Sequence, residues 1–126
     1  MRRPHTLSEV AAWSQTASDF SLHVRDFLHE FAANPSASAW ANEPELLADR
    51  FELGRVADAY LAAVAATLAD RLKLPQPAWS RAPQRFCERP WFASPGPAMR
   101  ACLLLESPGP FRERNLFITS NALSVA

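Results

Sequence analysis

The chain has 126 residues, 48% of them apolar, with four tryptophans and eight phenylalanines. This length suits one domain with its own core, and the composition excludes wholesale disorder. No apolar run approaches the roughly 18 residues of a membrane span, and the formal net charge is zero. The zero hides an asymmetry. Residues 1–70 carry five arginines against ten acids, net −5, and residues 71–126 carry eight cations against three acids, net +5. Such a dipole steers a partner, or is cancelled where the two halves face each other. "MRRPHTLSEV" has two arginines with no apolar stretch behind them, so no signal peptide is expected and the protein reads as cytoplasmic. In that setting Cys87 and Cys102, both among apolar neighbours, are expected to be reduced, buried thiols.

In chain order, Thr6 followed three residues later by Glu9 is a capping-box pattern that predicts a short first helix. Ser18 is a candidate cap for the second. Phe20, Val24, Phe27, Leu28 and Phe31 recur at helical spacing, and Asn34-Pro35 ends the run. Asn42 or Glu43 before Pro44 predicts another short helix through Leu46 and Leu47. Residues 55–72 lack Gly and Pro and are rich in Ala and Leu, which predicts the longest helix. Its expected buried face is Val56, Tyr60, Leu61, Val64, Leu68 and Leu72, with Asp58, Thr67, Asp70 and Arg71 elsewhere.

The next stretch, to Pro97, holds six of the eleven prolines together with Trp79, Phe86, Trp91 and Phe92. Prolines forbid a long helix or a central strand there. The aromatics need burial, so an ordered wrap docked on the helices is expected, with a short helix from Pro83 to Glu88. "AMRACLLLES" predicts a further helix. Ser107-Pro108 predicts the cap and first turn of a last one through Phe111, stopped by Asn115 in the left-handed conformation. Extended chain follows at 116–119, and Ser120 is a candidate cap for a closing turn. The expected architecture is an all-α, or nearly all-α, compact multi-helix bundle. It has a proline-rich ordered wrap and at most one or two short strands near 116–119. The whole of 1–126 forms one domain, with short helices in 1–54 and the long helix and aromatic region in 55–126.

The catalytic inventory is thin. His23 and His29 are six residues apart and diverge on a helix, and the two cysteines are fifteen apart, so no metal site is expected. Gly54, Gly96 and Gly109 form no glycine-rich loop, which excludes the common nucleotide-binding motifs, and no cofactor is expected. Nothing in the spacing converges a nucleophile with a base. Glu43 and Glu45 beside Pro44 are accounted for by the dipole at a helix start. Residues 6–24 can be threaded on a helix-turn-helix, but the reading helix would offer Asp19, Ser21 and His23 with no arginine before Arg25.

Two clusters stand out, Glu88–Phe92 and Glu106–Asn115. Their candidate partner-binding residues are Arg89, Trp91, Phe92, Glu106, Arg112, Arg114 and Asn115. Arginine and tryptophan dominate interface hot spots. The structural reading of the same residues is that Glu106 pairs with Arg89 or Arg112 and pins the wrap to the last helices.

"ADAYLAAVAATLADRLKLPQPAW", "RFCERPWFAS" and "LLLESPGPFRERNLFITSNAL" together resemble a family of small bacterial proteins. The shared pattern is a helix ending in a Leu-Pro-x-Pro-x-Trp turn, an aromatic Arg-x-Trp-Phe patch and a closing E-S-P-x-x-F-R-x-R-x-x-F-I motif, over residues 55–125. In some relatives this region follows a helix-turn-helix domain, and some are encoded beside nucleotidyltransferase-like toxins. The resemblance implies an antitoxin-like or regulatory role. The leading reading is a non-enzymatic protein-interaction module whose basic, aromatic half meets a protein partner, a toxin encoded nearby on the resemblance. The alternatives are a nucleic-acid-binding regulator using the first helices, and a small hydrolase or transferase with a site around Glu106 and Arg112.

Overall fold

The computed structural model describes residues 3–93, 97–119 and 122–123. Among them are five α-helices and one two-stranded sheet, so the fold is nearly all-α. No described helix is long and apolar enough to cross a membrane.

Helix α1 (Leu7–Trp13) starts on the expected capping box. The Thr6 hydroxyl accepts the Glu9 N–H at 3.1 Å, and the Glu9 carboxylate accepts the Thr6 N–H at 3.2 Å. Helix α2 (Ala17–Ala33) starts on Thr16 instead of Ser18. The Thr16 hydroxyl accepts the Asp19 N–H, and the Asp19 carboxylate reaches back to the Gln15 N–H. That start leaves Ser18 exposed in the first turn, and Phe20, Val24, Phe27 and Leu28 reach the core.

The helix expected through Leu46 and Leu47 does not form. Residues 43–47 are irregular, and a 3-10 turn at Ala37–Trp40 is the regular element of this connection. The backbone polar groups that a helix would use are taken from elsewhere: the Leu47 N–H donates to Asp58, and the Pro44 carbonyl accepts from Arg85.

Helix α3 (Gly54–Arg71) is the centre of the molecule. Every residue from Ala57 to Ala69 except Tyr60 is buried, because α2, the later short helix, the sheet and the 3-10 segments surround it. A one-sided apolar stripe therefore describes it badly. Asp58 and Thr67, expected outside the core, are both buried, and Leu72, expected inside, is exposed. Thr67 is accommodated by donating to the Ala63 carbonyl at 2.8 Å. Seven of the buried positions are alanine, which lets neighbouring backbone approach closely.

Lys73 ends α3 with a left-handed φ of 57°. The wrap then makes 3-10 turns at Ala78–Arg81 and Pro83–Arg85, so the helix expected from Pro83 to Glu88 stops after one turn. Strand β1 (Trp91–Phe92) follows, then α4 (Pro97–Glu106), α5 (Gly109–Glu113) and β2 (Leu116–Phe117). The two strands are parallel, with Trp91 opposite Leu116 and Phe92 opposite Phe117. Asn115 has the expected left-handed backbone, φ 63°, between α5 and β2. Ser107 does not cap α5. Its hydroxyl donates to the Leu103 carbonyl at 2.6 Å and accepts the Ile118 N–H at 2.8 Å, tying the end of α4 to the chain beyond β2. Cys87 is buried as expected, but Cys102 is exposed on α4; both are free thiols. Ser120 lies outside the described residues.

Gly54 opens α3 against the preceding loop. A Cβ there would sit 1.7 Å from the Leu47 carbonyl oxygen, a backbone atom that cannot swing away. Gly54→Ala is expected to cost about 3 kcal/mol, at the upper end of overpacking penalties, in urea unfolding followed by circular dichroism. A loss under about 1 kcal/mol would mean the loop yields.

Candidate functional site

The fold is built around buried arginines. Arg85 has no solvent exposure. Its guanidinium lies 3.8 Å from the Asp58 carboxylate and 3.5 Å from Glu43, and it donates to the Asp58 and Pro44 carbonyls. It also stacks 4.9 Å over the Trp79 ring. The Asp58 carboxylate accepts the Leu47 N–H at 2.6 Å. Burial pushes the Asp58 carboxyl above its usual range, opposed by the Leu47 N–H and by Arg85. Burial equally pulls Arg85 down, opposed by Asp58 and Glu43. A guanidinium does not give up its proton in a protein, and an ionised Asp58 is the better acceptor for Leu47, so we read the pair as charged. Glu43 and Glu45 are therefore not at a helix start: Glu43 pairs with Arg85, and Glu45 pairs with Arg50 at 3.0 Å.

Arg114 was expected to face a partner, and the structure corrects this: it is fully buried. It donates to the Ser80 and Pro110 carbonyls, each at 2.8 Å, and lies 4.7 Å over the Phe86 ring. Burial lowers its pKa, the nearby Arg81 adds to this, and Glu113 opposes it. Asn115 also turns inward, donating its side-chain amide to the Cys87 carbonyl at 2.8 Å. Phe92 stacks on Phe117 with centroids 4.9 Å apart, and Trp91 is half-buried against the core. These four candidates hold the sheet and its flanks together.

Arg89, Glu106 and Arg112 are the candidates left exposed. Among the described residues none of them has an ion-pair partner, so Glu106 does not pin the wrap as the pairing with Arg89 or Arg112 would require. The seven candidates therefore do not form one face. No described group of three His, Cys, Asp or Glu is placed to share a metal ion. His23 is half-buried, edge-on to Trp13, and His29 is exposed. Helix α2 carries one arginine, Arg25, on an exposed side shared with Ser18, Ser21 and Leu22, which is a poor surface for phosphates.

What sequence reasoning passed over is α4. Leu103 is fully buried and Ser107 anchors the helix end, while Cys102, Leu104, Leu105 and Glu106 face solvent. Leu105 is 84% exposed and Leu104 47%. The signal was available: three consecutive leucines on a helix point some 100° apart, so a short helix packed on one side cannot bury them all. Arg112 on α5 and Arg100 on α4 are exposed in the same part of the chain. In the basic second half, Arg71, Lys73, Arg89, Arg100 and Arg112 are exposed with no ion pair among the described residues, against the unpaired acid Glu106. Comparisons with protein-family models, with curated proteins and with solved structures return no match.

Removing Arg85 strips the buried Asp58 carboxylate of its close counter-charge, and removing Asp58 leaves buried Arg85 with only the exposed Glu43. Arg85→Ala and Asp58→Ala are each expected to cost about 3–5 kcal/mol. The double variant is expected to cost less than the two together, because neither charge is then stranded. Urea unfolding of the four proteins checks this, and simple additivity would show the two charges to be uncoupled.

Proposed function

We propose that this chain is a non-enzymatic protein-interaction module, antitoxin-like or regulatory, that meets its partner through α4 and the residues that follow it. The observation that carries the reading is Leu105, 84% exposed beside the 47% exposed Leu104 on a helix whose other side is anchored by Leu103 and Ser107. Large apolar side chains held out on a fixed helix make a contact surface, and truncating such anchors typically dominates binding loss. The exposed cations of the second half favour an acidic partner, and they would speed its approach at low salt. On the resemblance to small bacterial proteins encoded beside toxins, that partner is a toxin encoded nearby, and a cytoplasmic location belongs to the same reading. The hydrolase or transferase reading has less support, since Glu106 and Arg112 stand on open surface with neither in contact with the other.

Affinity capture from the native host with tagged protein tests the reading. A defined partner is expected, and Leu105→Glu combined with Leu104→Ser is expected to weaken its binding by at least about thirtyfold, the loss of a hot spot worth about 2 kcal/mol. Both positions are exposed, so the variant should keep the helical circular dichroism of the parent. Failure to find a partner, or undiminished capture by the folded variant, overturns the proposal.

A further inference from the structure

Away from α4, two hollows share Val56 and Trp91 as a common wall. The inner hollow, about 230 Å³, lies between α2, α3 and the chain around the sheet, lined chiefly by Phe20, Val24, Phe51, Tyr60, Trp91 and Ile118. Among the described residues no charged one lines it. The Tyr60 ring packs edge-on between Phe20 and Phe111, at 6.1 and 5.1 Å, so the phenol is held in place. Its hydroxyl has no hydrogen-bond partner among the described residues, and burial raises its pKa, so it stays a neutral donor at physiological pH. The outer hollow, about 340 Å³, is lined by Arg55, Cys87, Glu88, Arg89 and Pro90 with the two shared residues. Arg55 is paired with Glu88 at 3.6 Å, and the Arg89 guanidinium has no ion pair among the described residues. Two cations against one acid leave the outer hollow net positive.

We propose that the two hollows form one binding site for a small anionic amphiphile, a monocarboxylate with an apolar body. The body lies against the aromatic walls of the inner hollow, and the carboxylate reaches past Trp91 to Arg89 and Arg55. Charge complementarity chooses the anion: the inner hollow offers nothing to a charge, and the outer one offers an unpaired guanidinium, the usual partner of a carboxylate. Size chooses the body. A cavity of about 150 Å³ takes a benzene molecule, so 230 Å³ accommodates roughly nine heavy atoms. Burying that much apolar surface is the main source of affinity, and the charge sets which head group is held. Arg89, singled out in the sequence for a protein partner, is thus assigned to a ligand. The assignment stands on the cavity walls and is independent of the role of α4.

Octanoate, octanol and octylammonium, titrated below the concentrations at which they self-associate, test the site by calorimetry and by the change in tryptophan fluorescence. Octanoate is expected to bind saturably, one per chain, about fivefold tighter than octanol, the effect of one exposed ion pair of about 1 kcal/mol. Arg89→Glu, an exposed change that leaves the fold intact, is expected to abolish this preference for octanoate while leaving octanol unaffected. Ala17→Phe, at a half-exposed position on the wall of the inner hollow, is expected to weaken both ligands. Octylammonium binding as tightly as octanoate, octanoate affinity unchanged in Arg89→Glu, binding insensitive to Ala17→Phe, or no saturable binding would each overturn the proposal.

Discussion

The structure depends on one enclosed guanidinium. Arg85 joins three segments that are distant in the chain: the irregular loop at residues 43–47, the first turns of α3, and the proline-rich wrap. Helix α3 could not set this arrangement by itself. Its buried surface is mostly alanine, with two leucines and one valine, which fits many rotational settings about equally well. Two features remove that freedom. The bare Cα of Gly54 lets the Leu47 carbonyl approach, and Asp58 one turn later takes the Leu47 N–H. Arg85 then closes over the same loop from the other side. A buried ion pair adds little net stability compared with an apolar filling, but it penalises every register that strands one of its charges. Here it specifies where the loop and the wrap sit on a helix that is otherwise almost featureless.

The same device recurs. Arg50 donates to the Ala11 and Ser14 carbonyls at the end of α1, at 2.7 and 3.1 Å. Arg114 donates to the Ser80 and Pro110 carbonyls. In each case a guanidinium serves backbone oxygens at helix ends or in irregular chain, although the Ala11 carbonyl also accepts the Ser14 N–H. The need arises from the prolines. A segment with many prolines has fewer N–H groups than carbonyls, and its irregular backbone aligns few of those that remain. An arginine brings five donors and no acceptor, so it offsets that deficit, and its flat face covers an aromatic ring at the same time. The aromatic residues of the wrap supply those rings: Trp79 under Arg85, Phe86 under Arg114. Proline, arginine and aromatic side chains therefore act together, and removing one class leaves the others with exposed or unsatisfied groups.

Local signals were legible in the sequence, and distant ones were not. The Thr6–Glu9 box, the extent of α2, the long α3 and the left-handed Asn115 all rest on residues within a few positions of each other, and all are present. The choice of Thr16 over Ser18 was lost because both are good caps and the decision belongs to the core, which places Phe20 and Val24. The helix around Pro44 was lost because its backbone is engaged by residues 11 and 41 positions further on. Arg114 reads as a surface residue for the same reason, since Ser80 lies 34 positions before it. Charge in a small helical protein is normally assigned to solvent, and a pattern of period 3.6 cannot show that α3 is surrounded. The inner hollow was illegible altogether, because its walls come from α2, α3 and both sides of the sheet.

Turning arginines inward also sorts the charge that remains. Arg85 is neutralised by Asp58 and Glu43 across the two halves of the chain, and Arg55 meets Glu88 across the same divide. The Arg85 pairs spend part of the −5 and +5 inside the molecule, so the bare count from the sequence overstates the charge each half shows outside, whereas Arg55–Glu88 joins the minority charges of the two halves and spends none of it. What is left outside and without an ion pair in the second half, among the described residues, is five cations and Glu106, of which Arg100 and Glu106 lie on the helix that also holds out Leu104 and Leu105. An apolar pair alone would be an aggregation liability, and scattered cations alone would bind any polyanion weakly. On the proposed reading, the leucines of the anchored helix would supply contact area and the unpaired cations would select against basic partners. The interior arginines thus make the fold unique, and by leaving the surface they define which charges a partner can meet.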